Sequence, residues 1–479
     1  MIKLKIKRFP PIERECELDL GKNLIIFVGP NNSGKTYVSQ LIWSIFHKPK
    51  ETDFLNHLIQ SPHIKQIEKL VKRSSDNSFL RIDEKVIDFI RKALEEYLHD
   101  ELSNIYGDGI PYKDIKFNIE IDAKELLQRV RHQRYDSDYK ARFLPFLGGV
   151  KKRKNSYKIN FLIDPDKLKG RFQILLAIAL RDILVKPLIG VDRTFYLPAL
   201  RTSISILISK LIKAQSDSIV EGKIHERKTY TEPVEKLIFD TLLEISDFKK
   251  HGLPIIPPGT ILNTKKTQLR SKLMEILNGQ IQVDVAEEVV PIPSFSYSSE
   301  NIKLPMTLSS SMVNQLSLFY VLFESCSLEK LFFIIDEPEI HLHPETKVKF
   351  AEFLIEFVKN GNKLLLTTHS TLFVQVLENY LLLGKLEKVL SREKLKELVD
   401  NYLELKPELS LNPDVVGAYF FGGKETIPYE DRGFGLLLSN FAESLKSVFS
   451  DSKILRTEIL KLASSKNGKD NSKATRIRA

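Results

Sequence analysis

Leu24-Ile25-Ile26-Phe27-Val28-Gly29-Pro30-Asn31-Asn32-Ser33-Gly34-Lys35-Thr36 decides the fold of this chain. Five apolar residues lead into a G-x-x-x-x-G-K-[ST] loop, and Val38, Leu41, Ile42 and Ile45 then recur at helical spacing. Strand, glycine-bracketed loop and helix together make the context in which this pattern cradles phosphate. Glycines let backbone N–H groups close around phosphate oxygens at the positive end of a helix. Gly29, Asn31, Asn32, Ser33 and Gly34 supply the cradle, Lys35 reaches toward the β- and γ-phosphates, and the Thr36 hydroxyl is a Mg²⁺ ligand. The chain reads as binding a nucleoside triphosphate.

The complement to that loop lies far downstream. Phe332-Phe333-Ile334-Ile335-Asp336-Glu337 is an apolar strand ending in two carboxylates. Asp336 stands where a carboxylate holds Mg²⁺ through its water shell, and Glu337 where one accepts a proton from attacking water. The next apolar strand runs into Thr367-Thr368-His369-Ser370, which aims the His369 imidazole toward the γ-phosphate. From Leu308 onward the order is helix, strand 331–335, helix 345–358, strand 363–367, the alternation of a parallel sheet. The expected fold is therefore α/β, a P-loop NTPase.

Working outward, residues 2–28 read as two or three strands. Val86, Ile90, Leu94, Tyr97 and Leu98 share one helical face. Residues 117–121 and 157–163 alternate like strands, with a basic stretch between them (Arg129, Arg131, His132, Arg134, Lys140, Arg142, then 151–154). Phe172–Val185 reads as a helix, 194–197 as a strand and about 233–249 as another helix. Segments 279–285 and 294–297 are strand-like, and Val415–Phe421 is an apolar strand among turn residues. This divides the chain into 1–48, an N-terminal lobe carrying the phosphate loop; 49–190, an inserted α+β or helical region; 191–435, a C-terminal lobe; and 436–479, a helix with a basic tail.

Composition narrows the setting. A net charge of +10 with pI near 9.1 suits nucleic acid or an acidic protein as partner. The longest apolar stretch, Phe172–Val185, is interrupted by Arg181-Asp182 and too short to span a bilayer, so no membrane partner is expected. Only Cys16 and Cys326 are present, without metal-site spacing, which fits a reduced cytoplasmic setting. His341 and His343 with Glu339 can be drawn as a metal site, which is not the favoured reading.

Asp336-Glu337-Pro338-Glu339-Ile340-His341-Leu342-His343-Pro344, the Thr-Thr-His-Ser of 367–370 and the phosphate loop resemble the OLD-like group of ABC-type ATPases, related to chromosome-structure and double-strand-break-repair ATPases. Leu308-Ser309-Ser310-Ser311-Met312-Val313-Asn314-Gln315-Leu316 sits where that group places its signature motif. Its form, with Tyr196-Leu-Pro-Ala-Leu-Arg201-Thr, is similar to a subgroup common in prokaryotic anti-phage operons, including the ATPase subunits of PARIS-type systems. The resemblance covers about 1–45 and 190–435. It implies an ABC-type ATPase head, ATP with Mg²⁺, and a homodimer or higher homo-oligomer with ATP sandwiched between subunits. Ser309, Ser310 or Ser311 of one subunit would reach the γ-phosphate bound by the other. Where the usual signature has glycines after its serine, this chain has Ser310, Ser311 and Met312. The implied role is a sensor or scaffold controlling an effector from the same operon, a toxic nuclease. No Asp-x-Asp follows His369, so nuclease activity is not expected within this chain. The rival reading is an SMC-like repair ATPase gripping DNA directly, which predicts stimulation by DNA alone with a steep salt dependence. Arg201 is a candidate sensor of nucleotide state.

Overall fold

The Leu24–Val28 strand lies inside a six-stranded sheet, and all five of its residues are buried. In the computed structural model, residues 2–72, 78–107, 112–141, 144–162, 171–203, 232–234, 236–237, 264–286, 292–299, 302–325, 330–402 and 404–428 are described. Most of the helix expected over 233–249, and all of 436–479, lie outside them.

Leu24–Val28 pairs in parallel with Lys363–Thr368 on one side and Val416–Phe421 on the other. Lys363–Thr368 pairs with Leu331–Asp336, which pairs with Arg193–Leu197, again in parallel. Thr426–Pro428 adds an antiparallel edge. Helices cover both faces, so these strands read as continuous apolar runs instead of alternating patterns. Because five strands are parallel, their C-terminal ends share one edge, where the phosphate loop, Glu337, His369 and Arg201 are delivered.

The helix after the loop spans Lys35–His47, and its N-cap, Gly34, has φ of +93°. A second helix, Ser311–Ser325, is anchored by Phe319, whose ring lies 4.9 Å from Phe333 on the Leu331–Asp336 strand and 5.8 Å from Phe353 on helix Pro344–Lys359. Those rings fix the helix against the sheet while its N-terminal serines stay at the surface.

Residues 49–190 are joined to the N-terminus through the backbone. Lys116–Ile121 pairs antiparallel with Ile2–Arg8, which also pairs with Cys16–Asp19. A four-stranded antiparallel sheet combines Ser78–Arg81, Lys158–Phe161, Leu144–Lys152 and Tyr135–Ala141. Of the basic stretch, Arg129, Arg131 and His132 lie in a helix, Ala123–His132, and Lys140 in the first strand of a hairpin, Tyr135–Ala141; Arg142 lies outside the described residues. Phe172–Val185 is helical, with a π turn at Arg181–Val185. One apolar core runs from Ile2 through Leu98, Leu126 and Leu176 to Phe421, and Met1–Pro428 forms one compact unit. Among the described residues, no helix is long and apolar enough to cross a membrane.

Candidate functional site

Strand register builds the site. Asp336 lies opposite Thr367, so the residues just past each strand end, Glu337 and His369, come side by side. Glu337 Oε1 is 3.2 Å from His369 Nδ1. Glu337 has φ of +48°, which turns the chain off its strand, and its N–H donates to Thr367 O at 2.9 Å. A non-glycine residue held there is strained and persists because its surroundings over-determine it.

Asp336 is 1 % exposed. Its carboxylate accepts hydrogen bonds from Thr367 Oγ1 at 2.9 Å, from Ser39 Oγ at 3.3 Å and from the Tyr196 hydroxyl. Burial raises its pKa, while those hydroxyls and that of Thr36 favour the charged form. Thr36 and Asp336 are hard oxygen donors brought together at a helix N-terminus, a pair that suits a partly hydrated Mg²⁺. The residues present therefore fit that ion.

The phosphate loop closes around Lys35, whose ammonium donates to Gly29 O at 2.8 Å, Pro30 O at 2.6 Å and Ser33 Oγ at 3.3 Å. Burial lowers its pKa, and Glu337, Asp336 and Glu339 oppose that effect. Gly29 is required sterically, since a Cβ there would stand 2.2 Å from Phe421 O. Asn31 and Asn32 form the exposed tip, with Asn32 at φ +60°, and Ser33 is buried beneath it.

Arg201 is the residue whose part the sequence understated. It is 1 % exposed and ties two elements together. Nη1 donates to Asp336 O at 2.7 Å and Pro198 O at 3.0 Å, Nη2 to Glu337 O at 3.2 Å, and Nε to Gln315 O at 3.0 Å on helix Ser311–Ser325. The Gln315 amide lies between this guanidinium and Thr202, its oxygen facing Arg201. Burial lowers the Arg201 pKa to about 10, and Glu339, Asp336 and Glu337 hold it from falling further. Glu339 is itself buried, accepts from the Thr368 hydroxyl and has its pKa raised by burial.

The serines ahead of that helix are set by their own backbone. Ser310 caps it, its Oγ accepting from Val313 N at 3.3 Å. Ser309 Oγ donates to Pro305 O at 3.1 Å, and Ser311 is exposed in the first turn. Buried Asn314 gathers the carbonyls of Met306, Ser309 and Ser310, a role nothing in the sequence announced. Within the subunit no hydrogen bond joins Ser309, Ser310 or Ser311 to the phosphate loop among the described residues. Among those residues, no three His, Cys, Asp or Glu side chains gather as a metal cluster, at His341 and His343 or elsewhere.

The AAA ATPase domain family (AAA_15) matches residues 1–374. No curated protein matches the chain. Among solved structures, it is similar to an Smc head bound to the C-winged helix domain of ScpA, at 13 % identity over 78 % of this chain and 90 % of that one, with a TM-score of 0.33. It is also similar to an Smc head domain with an extended coiled coil bound to the C-terminal domain of ScpA, derived from Pyrococcus furiosus. There identity is 12 %, coverage 94 % and 100 %, and the TM-score 0.34. An SMC head domain from Thermotoga maritima matches at 11 % identity, over 89 % and 97 %, with a TM-score of 0.28. Likenesses this distant carry no residue's role across. The phosphate loop, the buried Asp336 and the Glu337–His369 pair at one edge of a parallel sheet agree with the family match: this chain belongs to the AAA ATPase domain family and is an ATP-hydrolysing enzyme with an α/β P-loop fold.

Proposed function

We propose that the chain is an OLD-like ATPase of anti-phage defence that dimerises around ATP and, as a sensor or scaffold, controls a partner effector, a toxic nuclease. The observation that carries this reading is the Arg201 bridge. It bonds the carbonyls of Asp336 and Glu337 and a carbonyl in the helix that follows Ser309–Ser311. A change in that turn during hydrolysis is thereby passed to the helix whose exposed N-terminus would face a second subunit, and helix N-termini and hydroxyls are good anion ligands.

In this reading the loop from Gly29 to Thr36 grips the phosphates, with Lys35 leaving its loop carbonyls for them. Glu337 accepts the proton of the attacking water, and His369, hydrogen-bonded to Glu337, orients it and contacts the γ-phosphate. Thr36 and Asp336 would hold Mg²⁺, which neutralises phosphate charge. The chain divides as 1–48 and 191–435 for the two lobes of the ATPase head, 49–190 as an insert and 436–479 as a tail.

Glu337→Gln tests the reading, because it keeps the shape of the site and removes the base. Turnover should fall about 10²–10⁴-fold with ATP binding preserved, and light scattering with ATP should show a dimer. A pull-down of this variant with ATP should recover a protein encoded beside it, free of DNA. Recovery of DNA or RNA alone would shift the assignment to a repair-type ATPase, and unchanged turnover would remove Glu337 from its role.

A further inference from the structure

The opposite edge of the central sheet carries a cleft of about 730 Å³. Lys50, at the end of the 3-10 turn that follows the phosphate-loop helix, forms one wall. Asp192 and Lys330, immediately before the strands Arg193–Leu197 and Leu331–Asp336, form another. Arg129, Tyr135 and Lys186 come from the 49–190 region.

The charges of this cleft are unevenly matched. Asp182 is engaged already: it accepts from the Tyr135 hydroxyl at 2.7 Å and pairs with Lys186 at 2.9 Å. Arg129 pairs with Glu125 on its exposed side, and its guanidinium lies against Gly190, where a Cβ would come within 3.2 Å of Nη1. Lys50 has no such partner. Among the described residues its ammonium makes one hydrogen bond, to Thr194 Oγ1 at 3.3 Å, and has no carboxylate within ion-pair distance. Burial pulls its pKa down to about 7, with Asp192 the only opposing charge. Lys330 likewise has no carboxylate at ion-pair distance among the described residues, and Gln133 Oε1 is buried without a hydrogen-bond partner. A half-buried cation such as Lys50 without a counter-ion is costly, and an anion brought from outside relieves that cost.

We propose that this cleft is a second ligand site, which takes a phosphate-bearing small molecule of nucleotide size, its phosphate on Lys50 and Lys330 and its organic part against Tyr135, Pro187 and Val191. The volume falls within the range of small-molecule pockets and has room for one nucleotide. An occupant would touch the far ends of the elements that carry Lys35, Tyr196 and Asp336. The inference stands on the cleft alone and is independent of the anti-phage reading.

The test uses the full chain carrying Lys35→Ala, which weakens the phosphate loop as a competing anion site. Calorimetric titration with pyrophosphate and with ADP should show saturable binding at one site, ADP the tighter. Lys50→Met or Lys330→Met added to that background should weaken both by about 10-fold or more, the loss of one charge-assisted contact, and Lys50→Arg should restore most of it. Lys330 is exposed, so its variant reads the site even where Lys50→Met fails to fold. The proposal is overturned by an absence of saturable binding, or by binding indifferent to both substitutions. It is overturned equally by a short single-stranded RNA that displaces pyrophosphate and binds these lysines more tightly than ADP, which would make the cleft part of a nucleic-acid surface.

Discussion

Arg201→Met separates the two jobs of the buried guanidinium. Three of its four acceptors keep another donor: Pro198 O retains the Arg201 N–H at 3.2 Å, Glu337 O retains the Ile340 N–H at 3.3 Å, and Gln315 O lies within a helix. Losing a charge-assisted bond at those three costs about 1 kcal/mol each, and Asp336 O, deprived of its guanidinium partner, adds about 1–3 kcal/mol. Against this, the fall of the Arg201 pKa from 12.5 to about 10 marks about 3 kcal/mol of charge-burial cost that methionine does not incur. The net loss of stability is then about 2 kcal/mol, a few degrees in melting temperature for a chain of this size. Catalysis should suffer more. Glu337, the proposed base, is held by Arg201 through its carbonyl, and a displacement of about 1 Å at a reacting group costs on the order of 100-fold in rate. Steady-state ATP hydrolysis, read beside urea unfolding, should therefore show kcat down about 100-fold with KM for ATP near normal, since the phosphate loop is untouched. Arg201→Lys should recover stability and not kcat, because one ammonium cannot span both elements. A folded Arg201→Met protein with kcat within twofold of the parent would refute the coupling.

Two other perturbations follow from contacts already described or adjacent to them. Gly29→Ala places a Cβ 2.2 Å from Phe421 O, so the loop must move; nucleotide affinity in a filter-binding assay should drop at least about 10-fold. Glu378, buried on helix Thr371–Val389, has its pKa raised from 4.5 to about 7 by burial. The folded protein therefore holds this proton to higher pH than the unfolded chain, and stability falls as pH rises from about 4.5 through 7. Glu378→Gln should melt higher than the parent at pH 8, and the gap should close below about pH 5; an equal gap at both values would rule out Glu378 as its source.

The strands that bring the site together were legible because they are buried on both faces, and Leu24–Val28 and Leu331–Asp336 show unbroken apolar runs. The phosphate loop was legible because its glycines are demanded by local geometry, as Gly29 against Phe421 illustrates. What Tyr196 and Arg201 do was not. Tyr196 donates to Asp336 and Arg201 binds its carbonyl across long sequence separations, and no local pattern reports a tertiary hydrogen bond. The hairpin from Tyr135 to Lys152 was hidden by its charges, which read as a basic stretch while the backbone paired. Ser310 shows a limit of another kind: a serine ahead of a helix is a cap and an anion ligand by the same chemistry, and in the isolated subunit the cap is what it makes.

The strand order also sets a schedule for synthesis. Leu24–Val28 leaves the ribosome long before its two sheet neighbours, Lys363–Thr368 and Val416–Phe421. At about 5–20 residues per second, this apolar strand waits tens of seconds for its first partner. Until then the nascent chain exposes an unpaired edge of five large apolar residues with no acidic gatekeeper among them. The pairing of Ile2–Arg8 with Lys116–Ile121 becomes available much earlier and can shelter the N-terminal segment meanwhile. The Phe421 backbone that lies against Gly29 is likewise delivered only after the Lys363–Thr368 strand has been made.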